Sequence, residues 1–182
     1  MRLPFDKLFN PRSIAIVGVS ERPEAIGTRV LNNLRRMDFA GQIYPVNPKH
    51  PELAGLRCYP SLSELPEKPD AAFLAVPSAS GPELVEEAGR CGIRALFINA
   101  NGYADGDAKG IELQCRVEAT AAQYGMAICG PNNLGLINVH DRVAMWAPRY
   151  MKKVDAGPVA VISQSGSIAL ILSEDERDLG FS

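Results

Sequence analysis

The sequence predicts an α/β fold organised around a doubly wound parallel sheet. Three observations carry that prediction. Short, largely apolar runs recur along the chain, at Ile14–Val19, Gln42–Val46, Asp70–Val76, Arg94–Asn99 and Met126–Cys129. Runs of this kind read as strands buried on both faces. Helical segments stand between most of them, which gives the alternation of a parallel sheet with right-handed crossovers. Glycine, proline and small polar residues gather where the runs end, the edge at which ligands of such sheets bind.

Each element has its own signal. Leu3–Arg12 is a lead-in with one helical turn at Asp6–Phe9, ahead of Asn10-Pro11. Ile14–Val19 is the first strand; from Gly18 the chain enters a loop and then a helix over Thr28–Met37. Ile26, Val30, Leu34 and Met37 form the apolar stripe of that helix, with Arg29, Asn33 and Arg36 away from it. Gly41 reads as the stop of the helix region, and Gln42–Val46 as the second strand, closed by Asn47-Pro48-Lys49. Between Pro60 and Pro66, Ser61 followed by Glu64 has the form of a capping box for a short helix. The third strand is stopped by Pro77, and Ser80-Gly-Pro-Glu opens a helix with proline in its first turn and Gly92 at its end. A loop over Ala100–Asp107 follows the fourth strand. The helix Ile111–Tyr124 has Ile111, Cys115 and Ala119 at helical spacing and Gly125 as terminator.

After Asn138 the composition shifts. Asp141–Ala156 reads as a crossing segment, with residues 146–156 the linker between a first domain, 1–145, and a second unit, 157–182. In that unit, Gly157-Pro-Val-Ala-Val-Ile-Ser-Gln-Ser-Gly166 repeats the opening logic of strand, small-residue loop and helix. One strand and one helix cannot make a core of their own, so this is read as the start of a second α/β domain.

Composition limits the functions available. With 182 residues, 46% hydrophobic and 22% charged, the chain is ordinary globular material. No apolar run approaches the roughly 20 residues that span a bilayer, and Met-Arg-Leu-Pro-Phe-Asp is no signal peptide, so the expected location is the cytoplasm, with no membrane partner. A net charge of −2 without a basic run gives no reason to expect nucleic acid. Cys58, Cys91, Cys115 and Cys129 are scattered, which argues against a metal site and for small buried thiols.

The strand ends hold the candidate chemistry: Gly18-Val-Ser20, Asn47-Pro-Lys49, Val76-Pro-Ser78, Asn99-Ala-Asn-Gly102 and Gly130-Pro-Asn132. Any one such loop is ordinary; the aligned set is not. The first loop, with its helix N-terminus, is a natural anion site. It departs from the G-x-G-x-x-G fingerprint, having Ser20 and Pro23 where glycines belong and its next glycine at Gly27. A tightly cradled dinucleotide diphosphate is therefore disfavoured. The acidic residue that grips the ribose in NAD enzymes is replaced at the second strand end by Asn47-Pro48-Lys49, where a lysine suits a phosphorylated ribose. The ligand indicated is phosphate-bearing, coenzyme A or NADP.

The set Gly18-Val-Ser20, Tyr44-Pro-Val-Asn-Pro-Lys49, Ala75-Val-Pro77, Gly130-Pro-Asn-Asn-Leu-Gly-Leu-Ile-Asn138 and Ile162-Ser-Gln-Ser-Gly166 resembles the NDP-forming acyl-CoA synthetases. These are the ADP-forming acetate–CoA ligases and their relative, the succinyl-CoA synthetase α subunit. The resemblance covers essentially the whole chain. It implies a Rossmann-like CoA-binding domain followed by a flavodoxin-like ligase domain. The implied reaction interconverts acid, CoA and ATP with acyl-CoA, ADP and phosphate, through an acyl phosphate and a phosphohistidine. Carried over by position, Gly18, Val19 and Ser20 meet CoA phosphates and Lys49 adds charge there. Val76 and Pro77 lie against the adenosine, Asn99, Ala100 and Asn101 line the next strand end, and Pro131 and Asn132 flank the pantetheine. Ser163, Gln164, Ser165 and Gly166 resemble the loop that holds the phosphohistidine phosphate.

Two departures from the family pattern stand out. Asn133 replaces the cysteine usual after Gly-Pro-Asn, and neither His50 nor His140 matches the catalytic histidine, which is expected beyond Ser182. No catalytic residue is therefore assigned in this chain. The expected partners are CoA and an ATP-grasp domain or subunit carrying ATP, ADP and magnesium, with homo-oligomerisation and a fused acetyltransferase domain left open. The rival readings are a stand-alone CoA-sensing or scaffolding module and an NADP-dependent oxidoreductase domain.

Overall fold

The computed structural model describes residues 4–148 and 155–174. In chain order these form α1 (Phe5–Phe9), β1 (Ser13–Val17), α2 (Ile26–Arg36), β2 (Gln42–Val46), β3 (Glu52–Leu53) and β4 (Leu56–Arg57). There follow β5 (Ala71–Leu74), α3 (Gly81–Arg90), β6 (Ala95–Ile98), α4 (Ala108–Tyr124) and β7 (Ala127–Cys129). The last elements are β8 (Gly135–Asn138), β9 (Val143–Trp146) and α5 (Gly166–Glu174). Among the described residues no helix is long and apolar enough to cross a membrane.

Five strands make one parallel sheet in the order β2-β1-β5-β6-β7. The pleat sends alternate side chains to opposite faces, and each face has its own core. Ile14, Ile16, Phe73 and Phe97 pack with Val30, Leu31 and Leu34 of α2 and with Val143 and Met145 of β9. Ala15, Val17, Leu74, Leu96 and Ile98 pack with Val85 and Ala88 of α3 and Val117 of α4. Phe73 and Phe97, opposite each other in the β5–β6 register, stack with ring centroids 6.1 Å apart. Strands apolar at nearly every position, Ser13 and Gln42 at their starts apart, are what a sheet covered on both sides requires.

Local chemistry ends the elements. Helix α4 starts at Asp107, whose carboxylate accepts from the Gly110 N–H at 3.0 Å, and stops at Gly125 with φ 63°. The β3–β4 hairpin turns on Ala54 and Gly55, both at positive φ, as a two-residue hairpin loop demands. Helix α2 ends at Arg36, earlier than Gly41: Asp38 takes the left-handed turn (φ 53°), and the Phe39 N–H reaches the Leu34 carbonyl at 3.0 Å.

Tertiary packing overrides several local expectations. No helix forms between Pro60 and Pro66, although Ser61 Oγ does reach Glu64 at 3.3 Å. Two prolines leave space for barely a turn, and Leu62 is drawn into the core instead. On α4 the covered stripe is Leu113, Val117, Ala121 and Tyr124; Ile111 is 51% exposed and Cys115 is exposed, not a buried thiol. Helix α3 selects that stripe by offering Gly89, where a Cβ would lie 2.4 Å from the Tyr124 ring. Residues 143–146, expected within a crossing segment, are instead a strand, and the β8–β9 hairpin they complete lies on α2. Asn33, expected on the polar side of α2, is thereby buried completely and donates to the carbonyls of Trp146 (2.8 Å) and Pro148 (3.0 Å). Apart from a bridge at Val159, residues 157–163 form no strand, although α5 follows them.

Candidate functional site

The strand order reverses between β1 and β5, both of which have their second neighbour on the far side. Loops leaving adjacent strands in opposite directions open a crevice at their carboxyl ends, and a cleft of about 1210 Å³ lies there. Gly18, Ser20, Lys49, Val76, Pro77, Asn99, Ala100, Asn101 and Asn132 all line it. Five strand ends separated by more than a hundred residues thus meet in one space.

The first loop is shaped by two glycines. Gly18 has φ 96°, and a Cβ there would lie 2.3 Å from the Ala75 carbonyl oxygen, so only glycine lets β1 and β5 part at this separation. At Gly27 a Cβ would lie 2.6 Å from the Gly18 carbonyl oxygen, so the first turn of α2 sits directly on the loop. This is the close helix-to-loop approach that the fingerprint assigns to its last glycine, reached here at a longer spacing. Thr28 fastens the loop: its hydroxyl donates to the Ser20 carbonyl (2.7 Å) and accepts from the Ser20 N–H (3.1 Å). Asn47 braces it from β2, donating to the Val19 carbonyl at 2.7 Å while its own side-chain oxygen accepts from the Lys49 N–H at 2.9 Å. Lys49 is exposed on the rim.

Some expected site residues lie elsewhere. Val19 is fully buried and takes part through its backbone. Pro131 does not line the cleft; it follows the cis bond from Gly130 that turns the chain back, with Asn132 at φ 53°. Ser163, Gln164, Ser165 and Gly166 do not line it either. Their loop is closed on itself, with Ser163 Oγ accepting from the Ser165 N–H at 3.1 Å and Ser165 Oγ accepting from Ile168 in the first turn of α5. It stands next to the cleft through Gly166, where a Cβ would come within 3.3 Å of Leu134, a lining residue.

The structure adds residues that strand-end reasoning missed. Ile26 and Arg29 enter from α2, and Leu134, Ala147 and Pro148 from the hairpin and its exit. Ile26, expected on the buried stripe, is exposed into this space. Glu21, Arg22 and Glu24 come from the loop, and His50 stands 3.6 Å from Glu21 across the rim. The cleft therefore mixes three cations (Arg22, Arg29, Lys49) with two carboxylates. Its signal in the sequence was faint, because the hairpin wall lies beyond the last sheet strand.

Beside the cleft, Asn99 donates to the Asn133 carbonyl at 2.6 Å, and Asn133 Nδ2 lies 3.0 Å from Cys129 Sγ. Burial pushes the Cys129 thiol up, against the lowering effect of that contact, so it stays protonated and is no activated nucleophile. Among the described residues no cluster of three or more His, Cys, Asp or Glu could hold a metal ion. The arrangement is one for binding: backbone at a helix start, cations at both margins, and apolar strand-end residues between. A glycine-made hollow and an excess of cations over carboxylates fit a ligand carrying phosphates on an aromatic nucleoside.

A parallel sheet with a cleft at its strand-order reversal and a glycine loop after β1 defines a Rossmann-like fold. More narrowly, the chain belongs to the CoA binding domain family, whose model matches residues 12–139. It is 40% identical over 171 residues to a trans-feruloyl-CoA synthase from an unknown prokaryotic organism, covering 92% of this chain and 24% of that protein. It is 34% identical over 175 residues to the alpha subunit of the ADP-forming acetate–CoA ligase I of Pyrococcus furiosus, covering 93% of this chain and 37% of that one. Among solved structures, the dinucleotide-forming acetyl-coenzyme A synthetase 1 of Ca. Korarchaeum cryptofilum, in complex with phosphate and ADP, superposes with a TM-score of 0.85 at 36% identity. That match covers 93% of this chain and 36% of the other. The chain thus spans between a quarter and just over a third of the proteins it resembles.

Proposed function

We propose that this chain is the coenzyme A-binding part of an ADP-forming acyl-CoA synthetase, which converts an acid, CoA and ATP into acyl-CoA, ADP and phosphate. The observation that carries the reading is the gathering of Gly18, Ser20, Lys49, Val76, Pro77 and Asn99–Asn101 into one cleft at the strand-order reversal of a CoA binding domain. Bound CoA supplies the thiol that accepts the acyl group. The chain's own residues bind and orient: the helix start after the Gly18 loop offers its positive end to phosphate, Lys49 adds a cation, and Val76 and Pro77 present an apolar surface to the base.

Residues 1–145 are assigned to CoA binding, 146–156 to a linker, and 157–182 to the start of a ligase domain, with Ser163–Gly166 as its phosphate loop. A partner carrying the ATP-grasp fold, fused or separate, completes the reaction; the similar Pyrococcus furiosus protein is itself named an alpha subunit. The cytoplasm is the location in keeping with that chemistry.

Calorimetric titration of CoA, NAD and NADP into the chain tests the reading. CoA is expected to bind tightest, and Lys49→Ala to weaken it about fivefold at low salt and less at high salt, as for an exposed lysine–phosphate contact. CoA binding no tighter than NADP would overturn it.

A further inference from the structure

Arg29 lies in the first turn of α2 and lines the cleft beside Ile26, Leu134, Ala147 and Pro148. Its Nε is buried without a hydrogen-bond partner, and among the described residues its guanidinium forms no hydrogen bond or ion pair, although Glu21 and Glu24 line the same space. A desolvated, unpartnered donor is costly and rare in native structures, and here it lines an open cleft in which a ligand oxygen can reach it. Its position is not loose. One turn further along α2, Asn33 holds the carbonyls of Trp146 and Pro148 at 2.8 and 3.0 Å, and so keeps Ala147 and Pro148 against the Arg29 side of the cleft.

We infer that Arg29 is the diphosphate-binding residue of the cleft, and Lys49 the cation for the 3′-phosphate; the assignment rests on the coenzyme A reading above. The topology separates the two roles. In sheets of this order the diphosphate lies over the loop after the first strand and the start of the following helix, where Arg29 stands, and the ribose lies at the end of the second strand, where Lys49 stands. The side chains suit those places. A planar guanidinium with five fixed donors can span two oxygens of a diphosphate within a poorly hydrated wall, whereas an exposed ammonium serves a solvated monoester.

The test titrates CoA and dephospho-CoA, which keeps the diphosphate and lacks the 3′-phosphate, into wild type and three variants of the full chain. Arg29→Ala is expected to weaken both ligands about tenfold, since a charge-assisted hydrogen-bonded contact is lost in either case. Arg29→Lys, which keeps the charge without the fork, should lose about threefold for both and guards against a folding defect in the alanine variant. Lys49→Ala should weaken CoA and leave dephospho-CoA unchanged. Wild-type CoA binding with Arg29 variants of unaltered affinity overturns the assignment alone. An Arg29 effect confined to CoA overturns it too, by moving the residue to the 3′-phosphate. Failure of the wild type to bind CoA overturns the reading of the cleft and this assignment together.

Discussion

Two stretches of this chain are written in the same pattern and end differently. Ile14–Val19 with Gly18 and α2, and Val159–Ile162 with Ser163–Gly166 and α5, both spell apolar run, small-residue loop and helix. In the first, Ile14–Val17 pairs with β2 on one side and β5 on the other, and Ile14 and Ile16 are fully buried. In the second, Val159 makes a single bridge, Val159 and Val161 are each 46% exposed, Ile162 is 100% exposed, and no longer strand forms. An apolar run becomes a strand only when neighbours are supplied along its backbone and a surface for each of its faces. A pattern states what a segment can do; neighbours decide whether it does it.

The two loops give the largest expected contrast. Gly18→Val should cost about 4 kcal/mol or more, because φ 96° is strained for a β-branched residue and its Cβ would sit 2.3 Å from the Ala75 carbonyl. Gly166→Ala, whose Cβ meets only the flexible end of Leu134 at 3.3 Å, should change stability by no more than about 0.5 kcal/mol. Denaturant midpoints of the two variants measure this directly, and equal losses would abolish the distinction.

The two apolar runs come next. Ile16→Ala should cost about 3 kcal/mol by opening a cavity in the sheet core, and Ile162→Ala about nothing, since its side chain lies in water. Amide exchange should follow the same division, slow through β1, β5 and β6 and fast over 160–162. Strong protection of 160–162 in a dilute monomer would show that this segment is packed, and the two runs would then not differ.

The smallest effect concerns how the short helix α1 is fastened at the opposite edge of the sheet. Asp70 accepts from the Arg12 N–H at 2.8 Å and pairs with Lys7 at 2.9 Å, a tie that none of the described polar contacts of α5 provides to the main sheet. Burial alone would raise the Asp70 carboxyl, but the Arg12 N–H and the Lys7 ammonium outweigh it and hold the group below its ordinary value of 3.8. A folded-state value lowered in this way stabilises the fold above the unfolded value and is lost as pH falls through the folded one. Asp70→Asn should therefore cost on the order of 1 kcal/mol at pH 7 and flatten the loss of stability below pH 4. An unchanged acid limb would mean that Asp70 is not the group responsible.

The five sheet strands, the helices between them and the edge at which a ligand would lie are legible in the sequence, because each follows from a short-range pattern. Buried strands are apolar throughout, helices carry caps and terminators, and strand ends need small residues. Gly18, Ser20, Lys49, Val76 and Asn99 could thus be named as one set before their meeting was seen. Packing in three dimensions settles which side of α4 is covered, that residues 143–146 form a strand lying on α2, that Asn33 is buried, that Arg29 and Pro148 belong to the cleft, and that the run after the bridge at Val159 does not extend into a strand. Each of these turns on a contact between segments far apart in the chain: α3 against α4, the β8–β9 hairpin against α2, a strand against its neighbours. Side-chain periodicity contains no term for such contacts, since burial of a residue depends on what the rest of the molecule brings to it.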